Sequence, residues 1–556
     1  MIPRSYRGAQ WPLLIVLVIG VGAIAGLWFV IARPLASDSS PPSGGRYTEG
    51  IAGKPQRVNP LFASMNDVDR DIASLVFSGL SRLGLGGEVL PDLAQGWQVS
   101  PDGLTFTFNL RRGVTWQDGQ PFTAADVIFT YSLLADPQFP GDNELGDFWQ
   151  QVQCQEVNPF AVRCQLPAPF APFLSFTTIG ILPKHKLEGV SAKDLFDSSF
   201  NSAPIGTGPF RLVSLTASHA LLQRNPNHHL SRPNPLAPQE IELRFYPEEQ
   251  QAMAALHRGE IQGLLLSPTV SREALTDLTD RQDLSLYPIS RTAYTILYLN
   301  DRSDLFSDPK VRRALAHTID RDAIIGELLE GLAVRADSPI TPGTWAYDPD
   351  LEPIPFNRDS ARQLLEEAGW QLVDGRSPRK KGETGFRFSL LTDADPLRTA
   401  IAQEVADQLR EVGIEVTVEP HNASDLVQNF LIPRQYQAAV FGWDPGYDPD
   451  PYPAWHSSQA GQEGRNLANY VSEQVDKILE DARKTTDLNE RQALYYTFQR
   501  VFLQDLPSLP LYYPISNYFV HESVRGIALG TLFDSSLRFA NIHEWTIEPD
   551  TDIIGR

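Results

Sequence analysis

The stretch AIAQEVADQLREV at 400–412 is closed by Gly413 and followed at once by IEVTV at 414–418. It reads as a helix, a glycine stop and an alternating strand. Helix then strand is the rhythm of an α/β layer. The same pattern extends outward. Residues 360–368 put Ala361, Leu364, Leu365 and Ala368 on one stripe and stop at Gly369. Residues 488–504 predict a long amphipathic helix, capped by Asp487 with Glu490 as its third residue. Leu104, Phe106, Phe108 and Leu110 alternate with Thr105, Thr107 and Asn109, a strand with one buried face. Thr123 starts a helix, with Asp126 placed to close a capping box. The expected class is α/β with some antiparallel strands.

The chain has 556 residues, enough for more than one core. Hydrophobic residues make up 42% and charged residues 21%, an ordinary globular balance. The formal net charge of −21 argues against nucleic acid, whose phosphates need a basic surface. Its plain reading is solubility.

Residues 13–32 read LLIVLVIGVGAIAGLWFVIA, without a charge and long enough to span a bilayer as a helix. Arg4 and Arg7 precede it, so the positive-inside rule leaves residues 1–12 in the cytoplasm and everything after Arg33 outside. A cleaved signal peptide is the competing reading. The run is long for that, and Pro34 follows the exit too closely. No cysteine lies nearby to carry a lipid. Residues 33–46, rich in Ser, Pro and Gly from Ser37, read as a flexible stalk. The two cysteines, Cys154 and Cys164, sit symmetrically about Asn158-Pro159. That pattern predicts two short antiparallel strands around a turn, with a cross-strand disulfide that an oxidising compartment permits.

Catalytic constellations are missing. There is no G-x-S-x-G elbow, no phosphate-binding loop and no complete G-x-G-x-x-G, since Gly206-Thr-Gly208-Pro lacks the third glycine. His521-Glu522 and His543-Glu544 lack a second histidine at the metalloprotease spacing. His228-His229 is not assigned to a metal, because adjacent residues on a loop rarely face one ion. No cofactor is expected. One segment does stand out, FGWDPGYDPDPY at 441–452, after the apolar run 438–441 that reads as a buried strand. Trp443, Tyr447 and Tyr452 offer flat surfaces with polar tips, and Asp444, Asp448 and Asp450 offer negative charge. A loop at the end of a buried strand is where α/β proteins place ligands. The alternative is a structural turn in which the aspartates bond their own backbone.

Ordered motifs then carry a resemblance. They are Asn59-Pro-Leu-Phe62, Val76-Phe-Ser-Gly-Leu80, Pro91-Asp-Leu-Ala94 with Trp97, and the block from Asp102 through Trp116, Asp118-Gly119 and Pro121 to Val127. Gly206-Thr-Gly-Pro-Phe210, Asn300, Asp308 to Leu315, Ala361 to Trp370, Gly442-Trp443 and Leu509-Pro-Leu-Tyr512 follow. From about residue 50 to about residue 513 the chain resembles family 5 of the bacterial extracellular solute-binding proteins, the oligopeptide-, dipeptide- and nickel-binding group.

The resemblance implies two lobes closing on a ligand, with an additional domain on the first. Lobe I takes 47–78, 200–291 and 505–556, the additional domain 79–199, and lobe II 292–504. The crossings fall near 291–299 and 503–511. It implies a monomeric, non-enzymatic protein on the outer face of the cell membrane, delivering a peptide or peptide-like solute to an ABC permease and its ATPase. The same fold can serve an oligosaccharide, an opine or a chelated metal, or a membrane-tethered sensor or chaperone. Among relatives, the backbone after the Gly-Trp dipeptide pairs with the peptide, and a nearby carboxylate holds its amine. Here the implied ligand-binding residues are Gly442, Trp443, Asp444, Tyr447 and Asp448. With Trp443 and Tyr447 aligned to the family's aromatics, the amine-binding position falls on Gly446, and Asp444 or Asp448 substitutes.

Overall fold

The computed structural model describes residues 44–373, 376–461 and 464–548. The apolar stretch 13–32 lies outside them, and so does the membrane-anchor reading that rests on it. Among the described residues no helix is long and apolar enough to cross a membrane.

Twelve strands form the main sheet. They are β1 (Arg46–Ala52), β2 (Phe210–Leu215), β3 (His219–Arg224), β4 (Glu240–Tyr246), β5 (Gly263–Leu266), β6 (Leu284–Ser290), β7 (Tyr294–Leu299), β8 (Ala333–Arg335), β9 (Arg387–Asp393), β10 (Glu415–His421), β11 (Ala438–Trp443) and β12 (Ser508–His521). Their order is β10-β9-β11-β7-β12-β5-β1-β4-β3-β2, with β6 and β8 also paired to β12. β12 joins two halves. Its first residues, Ser508 to Tyr512, pair with β7, and its last, Ile515 to His521, pair with β6 and, over Asn517 to Val520, with β5. The chain passes from one half to the other between Ser290 and Tyr294 and returns within β12.

Each half has its own core. Ile241, Leu243, Ile72 and Val76 belong to the first, and Leu297, Leu390, Val405 and Leu409 to the second. β7 is buried at all six positions, as expected of a strand covered on both faces.

The helix read at 400–412 begins earlier, at Pro396–Glu411. Asp395 caps it by accepting from the Arg398 amide, and Pro396 opens it, a position where a missing N–H costs nothing. The apolar stripe alone did not reveal that polar first turn. Gly413 stops it with φ +89°, a left-handed conformation that side chains with a Cβ rarely adopt. The capping box of Thr123 and Asp126 is formed.

A separate four-stranded antiparallel sheet joins Ala94–Val99, Thr105–Leu110, Ala161–Gln165 and Gln153–Asn158, in that order. Phe106, Phe108 and Leu110 face its core. Cys154 and Cys164 are directly opposed across the last two strands and are disulfide-bonded. The bond closes a loop with a sequence separation of 10, which by chain entropy stabilises the fold by about 2–3 kcal/mol. Replacing both cysteines by serine therefore lowers the unfolding free energy by that amount in a denaturant titration. An unchanged midpoint would show that the cross-link constrains nothing the sheet does not already fix.

One buried ion cluster anchors the C-terminal segment against the first half. The Arg538 guanidinium, 2% exposed, donates to Glu49 at 2.5 Å and to Asp71 at 2.6 Å. Glu49 also accepts from the hydroxyls of Tyr47 and Tyr518. A charge so buried is tolerable only when fully partnered. The cluster fixes the one-turn helix Ser535–Phe539 against the helix Asp67–Val76.

Candidate ligand-binding site

β11 is covered unequally along its two edges. On one side it pairs with β7 over its whole length, from Ala438 opposite Leu299 to Trp443 opposite Tyr294. On the other, β9 pairs only with Ala438, Ala439 and Val440. β9 ends at Asp393, and the chain turns into the helix Pro396–Glu411. The ladder on that side therefore stops at Val440, and Phe441, Gly442 and Trp443 present an open strand edge, half-buried. Such an edge is a template for another extended chain.

Charge flanks this edge. Asp393 is one step past the last β9–β11 pair and is ion-paired with Arg398. The Arg398 guanidinium stands 5.5 Å over the Phe441 ring, and its Nη2 lies 3.9 Å from where a Cβ on Gly442 would sit. Each group keeps a buried atom without a protein partner, Oδ1 of Asp393 and Nε of Arg398. Burial raises the Asp393 pKa above the usual carboxylate value, although Arg398 opposes the shift. Neither residue was singled out from sequence. Both sit at a strand-to-helix junction with no motif around them, and an Arg near an Asp is too common to carry meaning.

The loop after Trp443 folds back on the protein. Asp444, exposed, accepts from the amide of Gly446, which takes φ +76°. That is the self-bonding turn weighed above. Asp448 is engaged more fully. Its two oxygens take Nη1 and Nη2 of Arg491 at 2.8 and 2.6 Å, with the side chains 13% and 7% exposed. The carboxylate assigned to a ligand amine is thus occupied by the chain's own cation, on the helix Leu488–Asp505. Burial pulls the Arg491 pKa down, but Asp448, Tyr495 and Asp450 together hold it above its ordinary value. Asp450 similarly receives Arg483 at 2.7 Å. Tyr447 reaches the other half of the molecule. Its hydroxyl end is buried and donates to Asp534, while the rest of the residue leaves 39% of its surface exposed. Burial first, and then Asp534, raise its pKa well above the usual phenol value.

A cavity of about 630 Å³ lies on the inner side of this loop. That is within the range of about 300–1,000 Å³ that holds small ligands. Pro445, Gly446, Tyr447, Asp448 and Asp450 form one wall, and Phe77, Phe148, Phe170, Phe176 and Phe539 supply apolar surface opposite. Gly442, Trp443 and Asp444 stand outside its lining. Several contacts across the two halves close the structure around it. The Trp345 amide donates to Gly86 O at 2.9 Å, the Ala171 amide to Arg483 O at 2.7 Å, and Thr531 Oγ1 to Pro342 O at 3.2 Å.

Another wall carries Asp92, His228 and His543. The two adjacent histidines do not diverge as a loop pair was expected to. The turn at Asn225, where its Oδ1 accepts from the Asn227 amide and its carbonyl from the His228 amide, brings both rings inward, 4.5 Å apart. Burial, with His229, His543, Arg224 and Arg111 nearby, holds the His228 pKa far below the usual imidazole value.

Comparison with known proteins places this architecture. The family model for bacterial extracellular solute-binding proteins, family 5 (middle region), matches residues 88–464. The chain is 30% identical over 524 residues to the oligopeptide-binding protein AppA of Bacillus subtilis, covering 92% of this chain and 94% of that protein. The solved structure of that protein with a nonapeptide superposes with a TM-score of 0.65 at 28% identity, covering 91% of this chain and all of the other. NikZ of Campylobacter jejuni, solved with Ni(L-His), gives a TM-score of 0.67 at 26% identity, covering 90% and 99% of the two chains. The mixed α/β architecture is the periplasmic-binding-protein fold.

Proposed function

Since the chain belongs to family 5 of the bacterial extracellular solute-binding proteins, we propose that it captures a peptide or peptide-like solute and hands it to an ABC import permease. The observation that carries the reading is the open edge of β11 at Phe441–Trp443. A peptide laid along it continues the sheet with backbone hydrogen bonds, which give affinity without reading side chains. Trp443 supplies an aromatic surface at the end of that edge. The Asp393–Arg398 pair places charged groups next to it, where one charged end of a peptide can reach them. Arg491 takes both oxygens of Asp448 and Asp444 is folded onto its own loop, whereas Asp393 gives only Oδ2 to Arg398 and keeps Oδ1 unpartnered, so Asp393 is the carboxylate best placed for a peptide amine. The relatives' names point the same way, one an oligopeptide-binding protein and one solved with a nonapeptide.

Lobe I, on this reading, is the half built on β1 to β6, lobe II the half built on β7 to β11, and residues 79–199 the additional domain. The change of partners along β12 supports a hinge there, and closure buries the solute. Residues 13–32 tether the protein to the cell membrane beside its permease, with the N-terminus inside. The role needs no cofactor and no chemistry, and the partner ATPase consumes the ATP.

A thermal-shift screen of the full-length chain against di- to nonapeptides, oligosaccharides and a nickel–histidine chelate tests the assignment. A bound solute at one hundred times its dissociation constant adds about 2.7 kcal/mol of stability, which a melting scan resolves. A response confined to peptides is expected. Silence from every peptide together with a response to the chelate would move the assignment toward the solute seen with NikZ.

A further inference from the structure

The geometry points to a divalent transition-metal site of zinc type, formed by Asp92 and His228 in the wall of the cavity together with the adjacent His229. The three residues come from two separated segments. Asp92 follows the short strand Val89–Pro91, and the histidines stand in the loop after β3. One ligand atom from each lies within 4.8 Å of the others. Donors of a tetrahedral zinc are about 3.4 Å apart, so side-chain rotations of about 1 Å gather them around one ion. Two imidazoles and one carboxylate are a recurrent donor set for zinc sites that keep a fourth position open.

The donors are buried and already drawn together. The His229 side chain is 7% exposed and its Nε2 lies 2.5 Å from Asp92 Oδ1. An ion entering between them replaces that one contact by two coordinate bonds, with His228 as the third protein donor. His228 has little to release, because its Nδ1 has only a long 3.4 Å contact with Ser231 Oγ. The backbone is set in advance by the Asn225 turn, whose side chain is itself fixed by donating to Gly208 O at 3.0 Å. Asp92 and His228 both border the cavity, so the open coordination position faces its interior. This ion would be held by the chain's own side chains, and the inference does not depend on which solute the protein carries.

Equilibrium dialysis of the untagged full-length chain against Zn²⁺, after stripping with a chelator, tests the site. One zinc per chain is expected, with at least tenfold weaker binding in His228→Gln and in His229→Gln. X-ray absorption of the zinc-loaded wild type reads the ligands directly and does not depend on whether a variant folds. It is expected to show two imidazoles and oxygen donors. No bound zinc, or a wild-type spectrum without imidazole, would overturn the assignment. So would unchanged affinity in both variants.

Discussion

Trp443→Ala weakens peptide binding by about 10- to 100-fold while the protein keeps its fold. The ring sits at the last position of β11, half-buried against a core that includes Trp455, Phe498 and Phe502. Its outer face is available to whatever occupies the edge. Truncating an aromatic that anchors a bound chain costs about 1.5–3 kcal/mol, and every 1.4 kcal/mol is tenfold in affinity. The strand itself stays, because Tyr294 to Leu299 pair with β11 along its full length. Titration calorimetry of wild type, Trp443→Ala and Trp443→Phe separates the contributions. Phenylalanine keeps most of the flat surface and most of the affinity. Equal affinity in all three would place the solute away from this edge.

Asp448→Asn acts on stability. It removes the formal charge facing Arg491 in a site where both side chains are largely buried. Breaking a buried pair from one side leaves a desolvated cation and costs about 3–5 kcal/mol. A drop of that size is expected in denaturant unfolding, together with weaker solute binding, because the pair clamps the loop to the helix Leu488–Asp505. Replacing both partners, Asp448→Leu with Arg491→Met, recovers much of the stability, since no lone charge remains. A fully stable Asp448→Asn protein would mean the pair holds nothing in place, and Asp448 would return as a candidate for the ligand amine.

Much of the local structure was legible because its causes are local. The capping box at Thr123, the Asp487 cap and the glycine stops at Gly369 and Gly413 each need only a few neighbouring residues. The cross-strand cysteines were legible for the same reason, being symmetric about one turn. The loop at 441–452 was visible as a break from an apolar strand into aromatics and carboxylates. What its carboxylates do was not, because their partners are far along the chain. Arg491 is 43 residues from Asp448, and Asp534 is 87 residues from Tyr447. A run of aspartates looks the same whether it waits for a ligand or holds a loop shut. The open edge was equally hidden, since it depends on where β9 leaves the sheet. The convergence of the two histidine rings was not legible either, because the Asn225 turn that brings them together is a matter of backbone geometry.

Hydrogen exchange across residues 438–445, with and without a bound peptide, tests the central claim most directly. Amides paired to β7 are protected in both states. Amides on the open side of Phe441–Trp443 exchange readily in the free protein and become protected when a peptide extends the sheet. That gain, localised past Val440, is the expected result. Peptide binding that leaves exchange in this segment unchanged would contradict the added-strand account.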